Sequence, residues 1–180
     1  MVLALRAPAL LGGVGIEQAI RTRRLALRPL PAAAAAALPD GREAAQHLLR
    51  ATLSAEWPSA DLLDVLPLLA AAGPAPVPFG AWVIVERESG TVVGDVGFLG
   101  GPGADRTVEI GYSVIPSRRG RGYAAEAARA LVDWALEEPQ VDAVVAGCEP
   151  ENSASIRVLE HVGFVRAGEL DGQLRWRLEA

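Results

Sequence analysis

Hydrophobic positions change their spacing along this chain, and the changes divide it into elements. Leu25-Ala-Leu-Arg-Pro-Leu30 alternates weakly and predicts a first strand. The alanine-rich run from Ala32 to Ala51 predicts helix, interrupted at Pro39-Asp40-Gly41. A further helix starts at Ser59 as N-cap and continues through Leu66. Residues 71–80 hold little but Ala, Gly and Pro and predict a loop. It is not a domain linker, because too few large apolar residues precede it to form a core of their own.

Beyond that loop the period becomes two. Ala81–Glu86, a turn at Glu88-Ser-Gly90, and Thr91–Phe98 predict a hairpin. Thr107–Ile115 predicts another strand, with Gly111 as a bulge or a point of close approach. Gly122–Glu138 is helical, with Ala124, Ala127, Ala128, Leu131 and Ala135 on one small-residue face and Pro139 just beyond. Val141–Ala146 suits a strand in a sheet interior. Asn152 caps a last helix through Val162, Gly163 follows as a left-handed residue, and Phe164 packs back. Strands near Val165–Gly168 and Gln173–Leu178 close the chain. The order β-α-α-β-β-β-α-β-α-β-β predicts one mixed α/β domain over 21–180, without internal repeat. Residues 1–20 read as a loosely attached N-terminal extension.

Composition narrows the chemistry. The chain has 180 residues and a formal net charge of −5, and all 17 of its Lys+Arg residues are arginine. Without lysine, a Walker phosphate loop, a pyridoxal phosphate enzyme and a serine–lysine hydrolase are excluded. One cysteine, Cys148, and two histidines, His47 and His161, make a structural zinc site or an internal disulfide improbable. No metal is expected, and the chain reads as cytoplasmic. The acidic balance argues against nucleic acid as a partner. The uncharged run from Val65 to Val85 contains Pro67, Pro74, Pro76 and Pro78, so no membrane span is expected. Arg6 and Pro8 interrupt what would be the apolar core of a signal peptide.

The informative stretch is Ser117-Arg-Arg-Gly-Arg-Gly-Tyr-Ala124, between a strand and a helix. Two close glycines let backbone N–H groups converge on an anion, and the helix adds its unsatisfied N–H groups and positive dipole end. Arg118, Arg119 and Arg121 add charge. The stretch reads as a phosphate or pyrophosphate cradle; the plain alternative is a solvated basic turn. Gly120-x-Gly122-x-x-Ala125 also fits the dinucleotide fingerprint, with Asp142 downstream. That acid stands at the start of a strand rather than its end, and a hairpin precedes the motif. The dinucleotide reading fails on context.

The chain resembles the GNAT superfamily of N-acetyltransferases over roughly residues 20–178, in the branch similar to ribosomal-protein N-terminal acetyltransferases. Arg119-x-x-Gly122-x-Ala124 fits the family's acyl-CoA signature, and Glu109-Ile-Gly-Tyr-Ser-Val-Ile-Pro116 looks like the strand before it. Asn152-x-x-Ser155 with Val158–Phe164 looks like the second recognition block, and Thr22–Leu30 like the branch's opening strand. The resemblance implies a central, mostly antiparallel twisted sheet of about seven strands with flanking helices. It implies acetyl-CoA as cosubstrate and a primary amine, small molecule or protein N-terminus, as acceptor. Backbone groups of Tyr112, Ser113 and Val114 would meet the acetyl-pantetheine arm. Arg119, Gly120, Arg121, Gly122, Tyr123, Ala124 and Ala125 would wrap the pyrophosphate, and Asn152 would touch the pantetheine.

Direct attack by an amine needs a group to take its proton and a group to protonate the thiolate. Glu109, a carboxylate on an apolar strand, is the candidate base; water is the other. Leu159 stands where many family members carry a tyrosine, so a tyrosine acid at that place is excluded. Ser155, one turn earlier, is the candidate acid, or else simply the N3 hydroxyl of a capped helix. Cys148 reads as a small buried residue, His161 as a helix-surface residue, and Trp57 as core or pocket wall. A non-catalytic acyl-CoA-binding regulatory module is the alternative function. The assembly is expected to be a monomer or homodimer.

Overall fold

A computed structural model describes residues 19–71 and 78–179. The predicted extension, up to residue 18, and the middle of the predicted loop, 72–77, lie outside the described residues. In chain order the elements are β1 (Ile20–Arg21), β2 (Leu25–Pro29), α1 (Ala32–Ala37), α2 (Arg42–Leu49), β3 (Thr52–Leu53), α3 (Ala60–Ala71), β4 (Ala81–Glu86) and β5 (Thr91–Phe98). There follow β6 (Thr107–Val114), α4 (Tyr123–Leu136), β7 (Ala143–Cys148), α5 (Ser153–Val162), β8 (Val165–Leu170) and β9 (Gln173–Glu179).

One sheet runs in the order β1-β2-β4-β5-β6-β7-β9-β8, with β3 beside β5. Its pairs are antiparallel except β6·β7 and β3·β5. Seven strands longer than two residues carry the sheet, as expected; β1 and β3 are two-residue additions. Strand alternation assigns the two faces. Phe98 and Trp82 point back, where both rings meet Trp134 of α4. Asp95, three positions from Phe98 on β5, points to the opposite, front face, where it meets Trp57 ahead of α3. α4 and α5 pack together behind the sheet, and α1 packs against α2 and α3.

Of the predicted small-residue face of α4, Ala127, Ala128, Leu131 and Ala135 are inaccessible and Ala124 is half-buried. Small side chains let the helix lie close to β5, β6 and β7. Gly111 departs from expectation. The sheet's irregularity on the hairpin falls at Ile84/Val85, and β6 runs through Gly111 in register. The close approaches fall at Gly94, where a Cβ would strike the Ser113 carbonyl, and at Gly97, against Gly80. A Cβ on Gly111 would meet nothing within 4 Å. Gly111 is bare floor, not a bulge.

Candidate active site

β6 and β7 are hydrogen-bonded neighbours only from Thr107–Glu109 to Ala143–Val145, yet both strands continue, to Val114 and Cys148. Past Glu109 they diverge into a wedge. On its other edge β6 stays paired with β5 as far as Val114. Leu99 N–H donates to the Glu109 carbonyl and Ile115 N–H to the Val93 carbonyl. Odd residues of β6 therefore turn their backbone groups to β5, and even ones, Tyr112 and Val114 among them, turn theirs into the wedge. A cleft of about 680 Å³ runs through this gap, from α3 in front of the sheet to Ser155 and Leu159 of α5 behind it.

The predicted cradle stands at the start of α4. Gly120 and Gly122 have φ of +74° and +76°, the left-handed region that only glycine enters without strain. The first intrahelical bond is Glu126 N–H to the Gly122 carbonyl, so the N–H groups of Tyr123, Ala124 and Ala125 have no helical acceptor. Side chains fix the loop from behind. Arg119 Nε donates to the Val114 carbonyl at 2.9 Å, and Arg24 Nη1 donates to the Arg121 carbonyl at 2.8 Å. The Arg24 guanidinium also lies over the Tyr123 ring and pairs with Glu126.

Tyr123 differs from a ligand-facing side chain. Its ring is 8% exposed and its hydroxyl donates to Glu86 at 2.6 Å. Hydrogen bonds from Ser89 and Tyr123 hold the Glu86 carboxyl below its ordinary range despite burial. Only the backbone of Tyr123 faces outward. Ala125 is likewise buried, leaving its N–H as its polar contribution.

Behind the sheet, Asn152 Oδ1 accepts the Ser155 N–H at 3.0 Å, so its side chain serves as the α5 cap. Ser155 and the buried Leu159 both line the cleft. The Tyr112 hydroxyl, which the sequence did not single out, donates to the Ser155 carbonyl at 3.3 Å. Burial pushes Tyr112 up to about 12, so this hydroxyl stays a neutral donor.

In front, Glu109, Gly111 and Ser113 share one face of β6. Glu109 is partly buried on its apolar strand, and it is ion-paired. Arg175 Nη1 lies 3.0 Å from its Oε1, and the side chain is one-third exposed. It stands where the wedge opens, beside Gly147, which lines the cleft. Glu109 does not itself line the cleft, whereas Asp95 does. Asp95 Oδ2 accepts from Trp57 Nε1 at 2.8 Å and from Ser113 Oγ at 2.9 Å. Trp57 is thus core and site support at once, with 1% exposure. Cys148 is buried, as expected.

Burial holds the Asp95 carboxyl above its ordinary value of 3.8, against the two hydrogen bonds, and nearby Asp61 adds to the rise. A carboxyl raised in the folded state makes folding progressively less favourable as pH rises from its ordinary value through the raised one, because ionisation is then easier in the unfolded chain. Asp95→Asn, which keeps an acceptor for Trp57 and Ser113, should raise Tm at pH 7 by about 2–4 °C, equivalent to roughly 1 kcal/mol in a chain this long. The gain should vanish as pH falls below 3.8. Thermal melts across that range check it; a variant less stable at pH 7 would refute it.

Among the described residues no group of three His, Cys, Asp or Glu could hold a metal, and no helix is long and apolar enough to cross a membrane. Residues 24–165 match the family model described as Acetyltransferase (GNAT) domain. An uncharacterised N-acetyltransferase of Bacillus subtilis (strain 168), YjdG, is 35% identical over 113 residues, 61% of this chain and 67% of that protein. The chain spans about half the length of other curated relatives from that organism. An acetyltransferase structure from Agrobacterium tumefaciens str. C58 superposes with a TM-score of 0.62 at 26% identity, over 97% of this chain and 100% of that one. Mycobacterium smegmatis RimJ, solved in complex with CoA-disulfide, gives 0.58 at 28% identity over 87% and 82%.

Proposed function

The chain belongs to the GNAT acetyltransferase family, and from that premise we propose that it moves an acetyl group from acetyl-CoA to a primary amine by direct attack. The observation that carries this reading is the wedge between β6 and β7, continuous with a cleft in front and flanked by the glycine loop of α4. The residues suit acyl-CoA: three N–H groups at the α4 start without helical acceptors would take the pyrophosphate, helped by the exposed Arg119 and Arg121, whereas Arg118 turns to Glu86. The strand edge at Tyr112 and Val114 would bond the pantetheine amides, with Asn152 at the outer end. Acetyl-CoA supplies the activated acyl group; the remaining chemistry falls to the chain.

The acceptor nitrogen attacks the carbonyl carbon, the C–S bond breaks, and an N–H of Tyr112 or Val114 holds the oxygen as its charge grows. The amine proton passes to Glu109 through water over Gly111. Supporting this role, Glu109 shares the front face with Gly111 and is oriented by Arg175. The departing thiolate takes a proton from Ser155, directly or through a water that Ser155 orders, and solvent returns a proton to the hydroxyl; Ser155 lines the cleft behind the wedge. The acceptor is a small-molecule amine or a protein N-terminus.

Release of CoA thiol, followed with acetyl-CoA and a panel of amines, tests the reading. Release that saturates with amine concentration, with one acetylated amine formed per thiol, is expected. Binding of acetyl-CoA with no amine-dependent release would instead assign the chain to non-catalytic acyl-CoA binding.

A further inference from the structure

The front half of the cleft has a chemical character of its own. Its α3 wall is Leu62, Val65, Leu68 and Leu69. Leu68 is 74% exposed, an apolar side chain left bare at the mouth. Against these walls stand two carboxylates, Asp61 and Asp95, and no lysine, arginine or histidine lines the cleft among the described residues.

Asp95 has no counter-ion. It takes part in none of the ion pairs among the described residues. Both of its hydrogen bonds, from Trp57 and from Ser113, go to Oδ2. Oδ1 has no hydrogen-bond partner among the described residues. Asp95 lines the cleft. A half-buried carboxylate with one satisfied oxygen and one free oxygen is completed by a cation.

We propose that Asp95 is the acceptor-recognition residue, which docks the ammonium form of an amine whose apolar body lies along Leu62, Val65 and Leu68. This rests on the acetyl-transfer reading above and adds the acceptor's class: a primary amine, cationic on arrival, borne on an apolar group. Ser113 and Trp57 are positioning residues that aim Oδ1. Gly111, beside Ser113 on the same face, leaves room for the nitrogen between Asp95 and Glu109. The raised protonation range of Asp95 agrees with the placement, because a bound cation supplies the charge its surroundings lack.

Steady-state kinetics with four acceptors test it: 2-phenylethylamine, a peptide with an N-terminal leucine, ethanolamine, and O-benzylhydroxylamine, which is a neutral nucleophile at pH 7. Wild-type protein should prefer the two apolar cations over ethanolamine, and whichever of the two has the lower KM identifies the source of the amine. Asp95→Asn should raise KM for the apolar cations on the order of 10-fold or more, as expected for a lost charged hydrogen bond. Its kcat and its KM for acetyl-CoA and O-benzylhydroxylamine should stay within about threefold, which a merely structural role would not produce. At the exposed mouth, where folding is not at stake, Leu68→Lys should raise KM for the cations more than for O-benzylhydroxylamine, and Leu68→Glu should raise it less than Leu68→Lys does. Unchanged cation KM in Asp95→Asn, a loss confined to kcat, or equal loss for the neutral nucleophile overturns the assignment while leaving acetyl transfer intact. Turnover of none of the four overturns acetyl transfer to amines, and this inference with it.

Discussion

Gly122→Val is expected to abolish the stabilisation that acetyl-CoA gives the protein. At 100-fold over its Kd a ligand adds about 2.7 kcal/mol by mass action, or roughly 5–11 °C in Tm for a chain of this length. Gly122 sits at φ +76°, where a β-branched residue is strained, and its position as N-cap sets the direction of the three free N–H groups that follow. A side chain there also stands where backbone must approach phosphate. The variant should melt lower without ligand, by strain of order 1–3 kcal/mol, and show no shift with acetyl-CoA. NAD and ATP should shift the wild type far less. A full acetyl-CoA shift in Gly122→Val, or an equal shift by NAD in the wild type, would remove the cradle from the account.

Glu109→Gln is expected to lower kcat/KM by about 10²–10⁴-fold, the range for losing a general base. Glutamine keeps the volume and an acceptor for Arg175, so the side chain should stay oriented while losing its basic site. The acidic limb of the pH–rate profile should vanish or move toward the acceptor's own pKa, with acetyl-CoA affinity nearly unchanged. A loss confined to acceptor KM would assign Glu109 to holding a cation. Retained activity with an unchanged profile would leave water as the proton acceptor.

What the sequence made legible is what depends on neighbours in the chain. The left-handed glycines at 120 and 122, the Asn152 cap and the Gly163 terminus are local events, and each residue type is chosen by backbone geometry that its own position requires. The seven main strands carried enough residues to be read from their apolar runs and the turns between them. The strands at Ile20–Arg21 and Thr52–Leu53 are too short to show any. Gly111 looked like a bulge because glycine in a strand has several meanings, and only the neighbouring strands decide among them.

The acceptor side was hidden for a different reason. Asp95 derives its character from Ser113, 18 residues away, and Trp57, 38 residues away. Within the run Val92–Phe98 it is one polar residue on an apolar strand, indistinguishable from a solvent-facing one. Glu109 misled in the opposite direction, since the apolar strand around it gave no sign of Arg175 opposite. Tyr123 belongs to the cradle motif, yet its side chain is spent on Glu86, 37 residues earlier, and only its backbone remains for a ligand.

A crystal structure of the chain with CoA bound tests the central claim most directly. The account predicts the pyrophosphate against the N–H groups of Tyr123, Ala124 and Ala125, the pantetheine along the β6 edge at Tyr112 and Val114, and the sulfur in the wedge near Ser155. CoA seated away from the α4 start, or with its sulfur outside the gap between β6 and β7, would contradict it.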